Sequence, residues 1–126
     1  MKKKIKKQTK GALIAQDLKS AKALRALREA AEAATETLYK KIDECKTQAE
    51  LEAMQESRDK VELYYQRSQK KSLKRTGPRF EKAVKALGKQ TDKVKQETAE
   101  LKEIVETIRL LEDLARLAAT LALAFA

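Results

Sequence analysis

Between Gly11 and Gly77 the chain contains neither glycine nor proline, and this absence restricts the fold before any motif is considered. Sheets and loop-rich domains turn the chain at short intervals, and Gly and Pro supply most of those turns. A chain that goes so far without them is built of helices. The composition agrees: 38% of the residues are charged, there are three glycines and one proline in 126 residues, and Ala, Leu, Glu, Lys, Gln and Arg, which lose little side-chain freedom in a helix, are abundant. At this length a single domain is expected.

Apolar residues recur at steps of three and four in Leu24, Leu27, Ala31, Ala34, Leu38, Ile42 and Cys45, which marks one helix face. Cys45 continues that series and is alone in the chain, so it reads as a small core residue without an internal disulfide. Thr47-Gln48-Ala49-Glu50 has the form of a capping box and places a possible break at residues 45–48. The next face is Leu51, Met54, Val61, Tyr64 or Tyr65, and Leu73. Thr76-Gly77-Pro78-Arg79 then forms a boundary, with Gly77 expected in a left-handed cap of the preceding helix and Pro78 opening the next.

Beyond the turn the spacing is that of a heptad: Phe80, Val84, Leu87, Thr91, Val94, Thr98, Leu101, Val105 and Ile108. Gly88 to Asp92 could form a local kink. After Ile108 the series continues at residues 111, 114, 118, 121 and 125, so one step of three replaces a step of four. Such a slip overwinds a coiled coil or marks a change of packing partner.

The fold class expected is therefore all-α, with long antiparallel amphipathic helices in a coiled-coil-like arrangement. Two architectures satisfy the pattern: a three-helix bundle with helices near 12–45, 48–74 and 79–125, or a hairpin folded at Gly77 and continuous through Thr47. The bundle is preferred, because one uninterrupted helix of that length is rare in so small a domain. Its third helix would be about 70 Å long against about 40 Å for the second, so its apolar end would overhang. From Leu114 to Ala126 only Arg116 and Thr120 are polar, and a helix that is apolar all round needs cover on every side. This predicts an oligomer associating through Leu114, Leu117, Leu121 and Phe125, and a monomer on truncation after Arg109.

The formal charge of +10 is concentrated in two places. Residues 1–11 form a basic arm, expected to be flexible, with Lys2, Lys3, Lys4, Lys6, Lys7 and Lys10; the second cluster is Arg67, Lys70, Lys71, Lys74, Arg75 and Arg79. Without these twelve cations the chain holds 17 basic and 19 acidic residues, and no Asp or Glu occurs from Leu63 to Phe80. In the three-helix bundle both clusters fall at one end and the apolar tail at the other. The basic end would attract an acidic protein, nucleic-acid phosphates or anionic lipid, with Tyr64, Tyr65 and Phe80 as neighbours able to stack on bases.

Catalytic equipment is not apparent. The chain has no His, and its glycines at 11, 77 and 88 are too scattered for a phosphate-binding loop. Acidic residues read as solvated helix faces, with four-residue ion pairs expected for Glu36 and Lys40, Glu56 and Lys60, Glu81 and Lys85, and Glu112 and Arg116. No metal, cofactor or small-molecule substrate is expected. Ala12 to Ala15 is too short for a signal-peptide core, and Leu117 to Ala126 falls short of the ~20 residues of a spanning helix, so a cytoplasmic location is expected, with peripheral membrane association open. The leading expectation is a non-enzymatic structural or adaptor protein that self-associates through its apolar helix and docks through its basic end. A nucleic-acid-binding protein and a membrane-surface-active helical protein are the alternatives.

Overall fold

The computed structural model describes residues 10–100 and 103–126, with side chains from residue 15 onward. Four helices follow one another: α1 (Lys10–Lys41), α2 (Gln48–Gln69), α3 (Pro78–Thr98) and α4 (Ile104–Ala122), with a short 3-10 turn at Ile42–Glu44. The fold is all-helical and packed together, as the sequence implies, but neither the three-helix bundle nor the hairpin describes it. Lys10 and Gly11 already belong to α1, so Gly11 does not divide an arm from the helix.

The break at Thr47 is present. Thr47 is extended, its side chain accepts from the Glu50 amide at 3.1 Å, and α2 begins at the next residue. Glu50 completes the cap one residue earlier than the usual box, its Oε1 accepting from the Lys46 amide at 2.7 Å. At the next boundary the expectation needs correcting. The second helix ends at Gln69, not near residue 74, and Gly77 adopts φ −74° as the N-cap of α3. Among the described residues no glycine has a positive φ, so Gly77 is not a left-handed cap. Pro78 does open α3.

The heptad series read beyond the turn is divided between two helices. Residues 80 to 98 form one helix through Gly88, without the suspected kink, and the chain breaks after Thr98 instead. Phe80, Val84, Leu87, Thr91 and Val94 are buried as their spacing requires. In α4 the buried positions are Ile104, Thr107, Leu111, Leu114, Ala118 and Leu121, with Ala115 beside them, while Val105 is 53% exposed. These also alternate steps of three and four, but in a new phase. The slip in the sequence pattern is thus the trace of a chain break, because two helices joined by a loop need not share a register. The spacing alone does not locate the break, because Val105 and Ile108 extend the α3 series by coincidence.

Around the bundle the order is α1, α2, α4, α3, with α1 and α4 meeting more lightly across the centre. At one end the α1–α2 turn and the α3–α4 break lie together: Lys41, itself 4% exposed, donates to the Glu100 carbonyl at 3.2 Å, and the Thr37 and Thr98 hydroxyls are 2.7 Å apart. At the other end Gln16 Nε2 in α1 donates to the Leu73 carbonyl at 3.1 Å. Midway, Gln90 of α3 donates to the Leu110 carbonyl of α4 at 3.1 Å. The segment from Lys70 to Gly77 therefore crosses this second end diagonally, from α2 to α3.

The core explains why α1 is rich in alanine. Ala23, Leu27, Ala30, Ala31, Ala33, Ala34 and Leu38 are all buried, a broad face that serves two flanking helices and the centre, where small side chains allow close approach. Leu87, Leu111, Leu114 and Leu121 from α3 and α4, with Met54 and Val61 from α2, are fully buried opposite it. Every buried side-chain N or O among the described residues has a hydrogen-bond partner, so the internal threonines and serines are compatible with a dry core. No described helix is long and apolar enough to cross a membrane.

A basic bundle end with an apolar groove as the candidate binding site

The second basic cluster sits on the diagonal connection, and a short backbone pairing positions it. The Ser72 amide donates to the Ala126 carbonyl at 3.1 Å and the Ala126 amide to the Ser72 carbonyl at 2.9 Å, while Lys74 and Arg75 donate to the Ala124 carbonyl at 2.7 and 3.2 Å. Leu73 and Phe125 face each other in this antiparallel bridge. Alternation along an extended segment sends neighbouring side chains to opposite sides. Leu73 at 3% and Phe125 at 4% exposure point into the core, so Ser72 and Lys74 are exposed.

Arg67, Lys70, Lys71, Lys74, Arg75 and Arg79 are all exposed. None forms an ion pair with an acid among the described residues. Part of this placement is helix electrostatics, since Arg67 lies in the last turn of α2, where cations interact favourably with the helix dipole. Arg75 and Arg79 have no such internal role. The connection from α2 to α3 thus holds the second cluster at one end of the bundle. Lys2, Lys3, Lys4, Lys6 and Lys7 lie outside the described residues.

Beside the cluster is a groove of about 610 Å³. One wall is the turn, with Arg75, Gly77, Pro78 and Arg79; the other is the end of α4, with Thr120, Leu121, Leu123 and Ala124; Phe80 and Ala83 form the base. Two arginines therefore take part in the lining of an apolar trough. A second depression, of about 530 Å³, lies between α1 and the same connection and is polar, lined by Gln16, Asp17, Ser20 and Lys71 to Lys74. Depressions elsewhere carry three carboxylates each, Glu32, Glu36 and Glu62 in one, Glu52, Glu56 and Asp59 in another, against the single Asp17 here.

Three of the four residues expected to mediate association are internal to the chain. Leu114 and Leu121 are fully buried and Phe125 is 4% exposed, while Leu117 is half-buried. The premise that no element of the chain could cover the apolar helix is corrected: α2 and α3 flank α4 and α1 lies across from it. Likewise the apolar tail does not lie opposite the basic end. The break after Thr98 turns α4 back toward Gly77, so its last turn lines the groove at the basic end. Leu123, which sequence reasoning did not single out, is 69% exposed there. The signal was available, because 123 falls outside the 118, 121, 125 series.

The aromatic neighbours have changed meaning as well. Phe80 is buried, and Tyr64 and Tyr65 are half-buried against the core. Tyr39 is 70% exposed but lies near the opposite end, two residues from Lys41. Of the ion pairs expected, Glu36 with Lys40 and Glu56 with Lys60 are present at 3.6 and 3.9 Å, whereas Arg116 pairs with Asp113 at 2.9 Å instead of Glu112. No family model, no curated protein and no solved structure matches this chain.

Proposed function

We propose that this chain is a non-enzymatic helical adaptor, an antiparallel four-helix bundle that docks on an acidic partner protein through its basic end. The observation that carries this reading is the cation cluster of the 70–79 segment, which is exposed, free of acidic neighbours in sequence and unpaired to acids among the described residues. From Asp17 onward the other lysines of the chain are interleaved with carboxylates in sequence; here six cations face only Asp17 across the neighbouring depression, so the net field attracts an anionic surface. The absence of His and of any phosphate-binding glycine pattern supports the non-enzymatic part. Leu114, Leu121 and Phe125 are internal to the bundle, so a second copy would reach them only if the bundle opened.

Nucleic acid is less favoured than protein because Phe80 adds no accessible ring to the basic end and the two tyrosines are half-buried, leaving little for base stacking. The test is fluorescence anisotropy of labelled polyglutamate, a surrogate for an acidic protein surface, titrated with the full chain. Binding should weaken as salt screens the charges, and the combined substitution Lys70→Glu, Lys71→Glu and Lys74→Glu should abolish it. A matched reversal on α3, Lys89→Glu, Lys93→Glu and Lys95→Glu, should leave most of it. Equal loss in the two variants would mean that net charge alone attracts the ligand, and the docking reading would fail.

A further inference from the structure

We infer that the groove between the turn at residues 75–80 and the last turn of α4 is a specificity site, built to take the apolar face of an acidic amphipathic helix from the partner protein. The inference rests on the docking reading above and deepens it, since it says what the basic end recognises beyond charge. Its basis is the combination of an apolar trough of about 610 Å³ with Arg75 and Arg79 on one wall and the exposed Leu123 on the other. A basic surface alone would attract polyanions of any kind. An apolar trough alone would attract any exposed leucine or phenylalanine. Together they favour a ligand that carries both features at helical spacing, apolar residues at steps of three and four with carboxylates on either side.

Charge complementarity decides among the possible occupants. Residues 1–9 of this chain contain five lysines and no acid, so the protein's own start would bring like charge to Arg75 and Arg79. Double-stranded nucleic acid presents phosphates but no apolar side chain that a trough could bury. A lipid surface is flat, whereas the apolar residues here, except Leu123, line a recess: Phe80 is 4% exposed and Leu121 is fully buried. The α3 N-terminus opens beside the groove without a side-chain cap on Gly77, and its dipole has the sign that adds to the attraction for carboxylates.

The experiment is a competition among four probes against the full chain by anisotropy. The first is a labelled peptide of about 18 residues, long enough for five helical turns, with Leu at three- and four-residue steps on one face and Glu and Ala elsewhere. The second has the same composition with the leucines spread around the helix, the third is polyglutamate of equal length, and the fourth is a duplex oligonucleotide. Vesicles of phosphatidylserine and phosphatidylcholine are assayed separately by flotation. The amphipathic peptide is expected to bind at least about tenfold more tightly than the permuted peptide, as burial of one or two leucines implies. Leu123→Gln, which adds no charge beside Arg75 and Arg79, should remove that preference while leaving polyglutamate binding in place, and Arg79→Ala should weaken both peptides and polyglutamate. Leu123→Ser is the second variant, with circular dichroism and unfolding curves on each to show that the bundle is intact.

Equal affinity for both peptides and polyglutamate would overturn the groove assignment while leaving the docking reading standing. Failure of every anionic probe at low salt would overturn both. Tighter binding of the duplex, or flotation with vesicles that Leu123→Gln abolishes, would assign the end to nucleic acid or to lipid and overturn the inference.

Discussion

Cys45 shows how a single side chain is tuned by the turn that carries it. It follows the 3-10 turn at the end of α1, its Sγ lies 3.4 Å from the Met54 sulfur, and it packs against the core half-buried. Burial, followed by the carboxylates of Glu50 and Glu44, pushes its thiol pKa up, since both desolvation and nearby negative charge disfavour the thiolate. Alkylation by iodoacetamide should therefore reach half its maximal rate at a higher pH in the native protein than in urea. Coinciding profiles would show that the turn does not protect the thiol. The linked stability has a defined sign. A raised folded pKa stabilises the native state below the unfolded thiol's value, about pH 8.5, and that contribution is lost as the pH rises through the higher folded value. Lys41 is the counterpart on α1: a buried ammonium, held by Glu44 at 3.4 Å and the Glu100 carbonyl. Its burial was not legible in the sequence, because it stands beside Lys40 in a run that reads as solvated, and its carbonyl partner Glu100 is distant in the chain.

At the scale of the element, α3 is the instructive case. Gly88 lies in the middle of an unbroken helix, and a Cβ placed there would meet nothing within 4 Å. Glycine in a helix interior is less stable than alanine because the unfolded chain has more freedom to lose. Gly88→Ala should therefore raise the stability by about 0.5 to 1 kcal/mol in urea unfolding; a loss would indicate that the helix does bend at this point. The capping box at Thr47 and the proline at the start of α3 were readable because capping is local, settled by residues three or four apart. The break after Thr98 was not readable in the same way. Neither Gly nor Pro marks it, and the heptad spacing runs across it as far as Ile108, so the phase change was visible but its place was not.

For the whole molecule the decisive fact is that α4 closes the bundle instead of extending beyond it. Leu114→Ala should cost about 2 to 5 kcal/mol, as expected for a leucine enclosed on all sides, whereas Leu123→Ser at the exposed rim should change stability by about 0.5 kcal/mol or less. Denaturant unfolding of the two variants measures the contrast, and similar costs would mean that α4 is not enclosed. Truncation after Arg109, expected from the sequence to leave a monomer, removes Leu111, Leu114, Ala118 and Leu121 from the core, and the truncated chain should not fold. The closure also sets the electrostatic polarity. The described residues of segments 43–59 and 92–113, which lie toward the end opposite the basic one, include 13 acidic and 5 basic residues, while residues 61–88 hold eight Lys or Arg against Glu62 and Glu81. The molecule is basic at the end where α2 crosses to α3 and acidic at the other, with the apolar groove on the basic side.

Taken alone, the amino-acid sequence determined that this protein is helical, where α2 and α3 begin, which residues α3 buries, and that its excess positive charge lies in two clusters. These follow from interactions within a few residues, namely capping, side-chain entropy and the three- and four-residue spacing of apolar groups. The tertiary structure alone decided which helix covers which. An apolar stripe records that a surface is removed from water, and the free energy of burial is the same whether the cover is another helix of the chain or a second copy. For that reason the apolar end of α4 could be read as an interface between copies, when α2, α3 and α1 of its own chain enclose it and leave at the basic end a groove that no local pattern encodes.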